Sequence, residues 1–175
     1  MYLDLFNKDI LVVGCGNPLL GDDGFGPEVI KALEARHILT DDIGVLDAGT
    51  SFRELLFDLL LCAKIPRTLI LIDAIQYSNA LPGDILCINI DQIPENKVAD
   101  YSLHQFPAMN MLKELKELSL IDIQIYAVQI DYIPLEVKPG LSDPVKKAVD
   151  KMCCLIKRAV YDPNYRFCAG QVPSC

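Results

Sequence analysis

The sequence predicts an α/β domain of three layers built on a mostly parallel sheet. Two observations carry this. Continuous apolar runs rich in β-branched residues, ILVVGC and TLILIDA being the clearest, fit strands buried on both faces, as in a parallel sheet covered by helices. These runs alternate with segments of helical period in the order βαβαββαβα, which implies helices on both faces of the sheet.

Ile10–Cys15 is the first strand, broken by Gly14, Gly16, Asn17 and Pro18. Gly26 and Pro27 open a helix to about residue 35, with proline at a tolerated first-turn position. Val29, Ile30, Leu33 and the stem of Arg36 share its inner face. Residues 44–48 (GVLDA) form a second, shorter strand, followed by the Gly49-Thr50 turn and a helix carrying Leu55, Leu56, Leu59 and Leu60. Residues 68–74 are the third strand. Residues 83–90 are the fourth, following Asp73 too closely for a helical crossover and therefore expected to run antiparallel. Ser102 and Gln105 read as a capping box that starts a helix to about residue 118, with Met109, Leu112, Leu115 and Leu118 inward. Residues 122–130 alternate as a fifth strand. Ser142-Asp143-Pro144 starts a last helix carrying Val145, Val149, Met152, Leu155 and Ile156. Residues 1–160 are read as one domain and 161–175 as a peripheral, turn-rich tail.

Formal net charge is -8, which opposes non-specific attraction to nucleic acid or anionic membrane. The seven cysteines include no C-x-x-C pair, and Cys15, Cys62 and Cys87 fall in apolar runs, so reduced thiols and a cytoplasmic setting are expected. The N-terminus lacks a basic region before an apolar stretch, and the apolar runs are too short to span a bilayer.

Ligands of open α/β sheets gather beyond the carboxyl ends of the strands, so the loops after Cys15, Ala48 and Ala74 should border one site. The loop VVGCGNPLLGDDGFG is not a dinucleotide fingerprint. Leu19 stands where the third glycine belongs, and two acids would repel a pyrophosphate. Asp22 and Asp23 could cap the next helix or serve a site. Asp73 ends a buried strand, where an acid is costly unless paired or metal-bound; hydrogen bonding to loop amides is the structural alternative. Asp47 could orient its turn through an Asx bond or act in the site. His104 lies in the first turn of its helix, where the dipole disfavours imidazolium and leaves a ring able to bind metal; capping or packing is the structural alternative. Asp23, Asp73 and His104 would leave positions open on a first-row metal. Ser51 and Ser102 lack a nucleophile-elbow setting, and Cys15 reads as buried.

The chain resembles the nickel–iron hydrogenase maturation endopeptidases. The resemblance rests on VVGCGNPLLGDDGFG, the DAGT turn at 47–50, LILIDAI at 69–75, SLHQ at 102–105 and GLSDPV at 140–145. It implies an α/β/α sandwich with a five-stranded mixed sheet: mostly parallel, twisted, with one antiparallel strand. The family's metal-contacting acid in G-N-x-L-x-x-D-D/E-G-x-G falls on Asp23; some members carry Glu there, and Asp shortens the reach. The acid of the central strand falls on Asp73, the helix-start histidine on His104. Asp47, with Gly49 and Thr50 of the same turn, falls on the motif assigned to substrate or nickel recognition.

The activity implied is removal of a C-terminal extension from the hydrogenase large-subunit precursor after nickel insertion. Nickel would be supplied by the substrate and recognised by the protease, with no permanently bound metal. The GDDGFG loop and the extra cysteines are compatible with the subgroup acting on the coenzyme F(420)-reducing hydrogenase. Two other readings use the same three residues: a chaperone that senses nickel loading without cutting, and a hydrolase with its own bound metal.

Overall fold

The computed structural model of the chain describes residues 3–77, 79–90, 106–162 and 165. Among these, five strands form one sheet in the order β2-β1-β3-β5-β4. The strands are β1 Ile10–Cys15, β2 Ile43–Gly49, β3 Thr68–Ile75, β4 Ile85–Ile88 and β5 Asp122–Gln129. β2, β1, β3 and β5 are parallel, and β4 lies antiparallel to β5. The antiparallel member follows from the short connection after β3: it reverses direction but pairs with β5, not with its predecessor.

The sheet is buried on both faces because its strands alternate between two apolar cores. Val12, Ile70, Ile72 and Val128 point toward α2 (Phe25–Ala35) and α5 (Asp143–Tyr161), which bury Val29, Ile30, Leu33, Val145, Met152 and Ile156 against them. Leu11, Val13, Leu69, Leu71 and Ile125 point the other way, toward α1 (Leu3–Phe6), α3 (Phe52–Leu61) and α4 (Phe106–Leu118). The result is the three-layer sandwich that the periodicity predicts. Each fully buried Leu or Ile contributes about 2 kcal/mol of transfer free energy, so these two cores are the main stabilising term. No helix among the described residues is long and apolar enough to cross a membrane.

Several local expectations are corrected. A single 3-10 turn, Gly21–Gly24, precedes α2, which starts at Phe25, two residues before its proline. α1 was not foreseen. Arg36 is the exposed C-cap of α2, and its guanidinium lies 2.7 Å from Asp150 of α5. Leu118 is 73% exposed: the apolar strip of α4 runs through Met111, Leu112 and Leu115 and stops before the helix's last residue. The side chain of Met109 and the capping box at 102–105 lie outside the described residues, as do most tail positions. Tyr165, beyond the anticipated domain end, packs against the core beneath α5. Cys15, Cys62, Cys87 and Cys153 are in no disulfide, whereas Cys154 is disulfide-bonded, against the expected reducing setting.

What seats α2 on the sheet is glycine. A β-carbon on Gly26 would press on the carbonyl oxygen of Cys15 and lie 2.7 Å from that of Ile72; one on Gly14 would lie 2.6 Å from the Gly26 carbonyl oxygen. These obstacles are backbone atoms and cannot rotate away, so the helix start would have to lift from β1 and β3. Gly26→Ala should therefore cost about 3 kcal/mol, lowering the melting temperature by roughly 6–12 °C for a domain of this size, measured by calorimetry. An unchanged melting temperature would show that α2 is not clamped there.

Candidate functional site

Four parallel strands bring their carboxyl ends to one edge. Along it, Gly14 pairs with Asp47 of β2 and Ile72 of β3, and Cys15 with Gly49 across a register irregularity. Asp73 thus stands one residue past the Gly14–Ile72 pair, beside the end of β1. The 3-10 turn with Asp22 and Asp23 folds over the same edge, packing against β3 and α2. This is the edge where the loops were expected to converge.

The adjacent aspartates are sorted into two different environments. Asp22 is fully buried. Its Oδ2 accepts from the amides of Asp131 at 2.9 Å and Tyr132 at 3.3 Å and from the Ser142 hydroxyl at 2.9 Å; its Oδ1 accepts from the Ser142 amide at 2.6 Å. A carboxylate taken from water is tolerated when donors surround it in this way. Ser142 is the N-cap residue of α5 by position, but its hydroxyl makes no cap bond; it serves Asp22. Neither aspartate caps α2, whose N-cap is Gly24. Asp23, 4% exposed, turns the other way, and its Oδ2 accepts from the Asn17 amide at 2.9 Å. Asn17 is itself held by its Oδ1, which accepts from the Leu19 amide at 3.0 Å. Gly16, at φ +127°, lets the Asp23 backbone lie against β1, because a β-carbon there would collide with the Asp23 carbonyl oxygen.

Asp73 is 3% exposed, and its Oδ1 accepts from the following amide, Ala74, at 2.8 Å. That donor is the next residue of β3 itself, so the bond lies within the strand. Asp47 is exposed and forms the Asx bond, its Oδ1 accepting from the Gly49 amide at 2.9 Å. Gly49, at φ +52°, and exposed Thr50 complete this rim turn, tied to β1 by Gly16 N–H donating to the Gly49 carbonyl at 2.9 Å. Asp23 and Asp73 therefore share the edge as buried carboxylates, and Asp47, Gly49 and Thr50 form its outer lip. His104 lies outside the described residues. Among the described residues, no group of three His, Cys, Asp or Glu side chains could hold a metal ion. A cavity of about 590 Å³ between α2 and α5 touches the back of the turn at Pro18, Gly21 and Gly24 but is lined by neither Asp23 nor Asp73.

The sequence reasoning missed the partnership of Asp22 with Ser142, which spans 120 positions. Its one local trace was the acid doublet, which capping or ligation explained equally well.

Cys15 lies at this edge, at the end of β1, and is only 2% exposed. Burial pushes its pKa up, and the charges of Asp73 and Asp47 push it further the same way. It is a poor nucleophile at neutral pH. Iodoacetamide at pH 8 should label Cys15 at least about tenfold more slowly than partly exposed Cys62, read by peptide mass spectrometry; equal rates would return Cys15 to the list of reactive groups.

A family model described as hydrogenase maturation protease matches residues 27–159. The chain is 36% identical over 155 residues to coenzyme F(420) hydrogenase subunit delta of Methanothermobacter thermautotrophicus, covering 86% of this chain and 94% of the relative. Its fold is similar to the hydrogenase maturating endopeptidase HybD from Escherichia coli, with TM-score 0.69, 29% identity and coverage of 90% and 94% of the two chains. It is also similar to the nickel–iron hydrogenase maturation protease HybD from Thermococcus kodakarensis, with TM-score 0.67, 25% identity and coverage of 87% and 99%. With the fold, the family model and relatives at this identity in agreement, the chain belongs to the hydrogenase maturation protease family and is a peptidase.

Proposed function

We propose that this chain removes the C-terminal extension of a hydrogenase large-subunit precursor once nickel has been inserted, and that the substrate's nickel is what it recognises. The observation that carries the reading is the pair of buried carboxylates, Asp23 and Asp73, on one sheet edge of a maturation-protease fold. Carboxylates are hard ligands and suit a divalent first-row ion with open positions. In this reading Asp23, Asp73 and His104 complete the coordination of a metal that arrives with the substrate. Asp47, Gly49 and Thr50 on the outer lip meet the substrate chain around it. A water oxygen, activated by the substrate metal or by a carboxylate that takes its proton, then attacks the scissile carbonyl carbon, the C–N bond breaks, and the released amine takes the proton. The similarity to a coenzyme F(420) hydrogenase subunit favours that hydrogenase class as client.

Gating by a substrate metal gives specificity through a missing part: without nickel, the site lacks the group that anchors the precursor. The purified protein mixed with nickel-loaded and nickel-free precursor should shorten only the loaded form, followed by intact mass. Equal cutting of both would overturn the gate. Tight binding without cutting would favour a loading sensor, and zinc retained by the active protein would favour a hydrolase with its own metal.

Asp23→Asn, Asp73→Asn and His104→Ala should each lower cleavage at least about a hundredfold while changing stability by no more than about 1 kcal/mol. A large fall in melting temperature at any one of them, with residual activity in proportion to folded protein, would make that residue structural.

A further inference from the structure

We propose that Asp22 is a positioning residue for the cleavage described above: it sets where the Asp23 carboxylate stands without touching substrate. The assignment rests on that function and adds a residue to it. Asp22 is fully buried, so no substrate atom reaches it. Its four acceptor contacts all go to one segment, the connection from β5 to α5, through Asp131, Tyr132 and Ser142. The same segment grips the turn a second time by backbone pairing: Gly21 N–H donates to the Lys138 carbonyl, and Lys138 N–H to the Leu19 carbonyl, both at 2.9 Å. On the far side, Gly16 admits the Asp23 backbone against β1. Asp23 is therefore clamped between the end of β1 and the β5–α5 connection, and the Asp22 carboxylate is the charged member of the clamp. Its neighbour in sequence inherits the fixed backbone and can direct Oδ2 to the Asn17 amide. Hydrogen bonds from four donors to one carboxylate form a directional anchor, and small displacements of a reacting group cost rate steeply.

Asp22→Asn tests this whichever way the amide is turned. Either oxygen that becomes NH₂ faces a donor, because Oδ1 and Oδ2 both accept in the native protein. Ser142→Ala is the milder variant, deleting one donor only. Wild type and both variants are assayed on nickel-loaded precursor at a temperature where each is folded, and amide hydrogen exchange is followed at Asp131, Tyr132 and Ser142. The expected result for Asp22→Asn is faster exchange at those amides and a kcat lower by roughly ten- to a hundredfold with KM nearly unchanged; Ser142→Ala should move both readouts the same way by less. Wild-type kcat in folded Asp22→Asn overturns the positioning role, as does a change confined to KM. If Asp22→Asn does not fold, Ser142→Ala decides: faster exchange with wild-type kcat overturns it. Wild-type protein that leaves loaded precursor intact would strike the proposed function and this role together, whereas wild-type cutting with unchanged variant kcat strikes this role alone.

Discussion

The burial of the Asp22 carboxylate is the interaction on which the sheet's carboxyl edge depends. An ionised carboxylate removed from water without compensation costs several kcal/mol. Here three amides and a hydroxyl replace the lost hydration at 2.6–3.3 Å. The donors come from a connection about 110 to 120 positions away in sequence, so the bond set forms only once β1, β5 and α5 are all in place. It thereby makes the geometry of a loop near the N-terminus conditional on the completed domain. A hydrophobic contact could hold the turn in place but would not fix its orientation, because apolar contact is non-directional.

Glycine supplies the complementary constraint. The turn and the first residues of α2 approach β1 and β3 so closely that backbone meets backbone at Gly14, Gly16 and Gly26. The motif's glycines are thus explained by approach distance, not by phosphate binding, the reading that a glycine-rich strand-to-helix loop first invites. The acids sit at the outer side of this contact. Together the two devices hold the loop from both sides, sheet backbone within and the β5–α5 connection without.

Much of the fold was legible because its strands are continuous β-branched runs. ILVVGC and TLILIDAI have no competing helical reading, and β1 is found where expected and β3 one residue longer. Helix interiors were legible from period, but their ends were not. A 3-10 turn precedes α2, and the Asp22 within it is drawn into a long-range bond that no local signal reports. At the other end, the pairing of the Arg36 guanidinium with Asp150 on α5 is likewise invisible to helical spacing. In the site, types and edge were legible for Asp23, Asp73 and Asp47, since strand-end acids follow from sheet topology. The division of labour within Asp22-Asp23 was not, because adjacent residues of one type differ only in which way each side chain leaves the turn. Ser142-Asp143-Pro144 marked the start of α5 correctly, but nothing local told that the Ser142 hydroxyl would donate to Asp22 instead of making a cap bond.

The environment of Cys15 bears on why carboxylates rather than a thiol carry the chemistry proposed for this edge. A cysteine protease lowers its thiol pKa with a neighbouring cation or helix N-terminus. Cys15 has the opposite surroundings: burial above all, then Asp73 and Asp47, each of which disfavours thiolate. Asp73, which the proposed function gives to the cation, also disfavours the thiolate of Cys15. A cation entering this edge would be attracted by the acids, whereas a thiolate would be repelled by them. In the function proposed above, a precursor bearing a bound metal would bring positive charge to this edge together with the peptide to be cut.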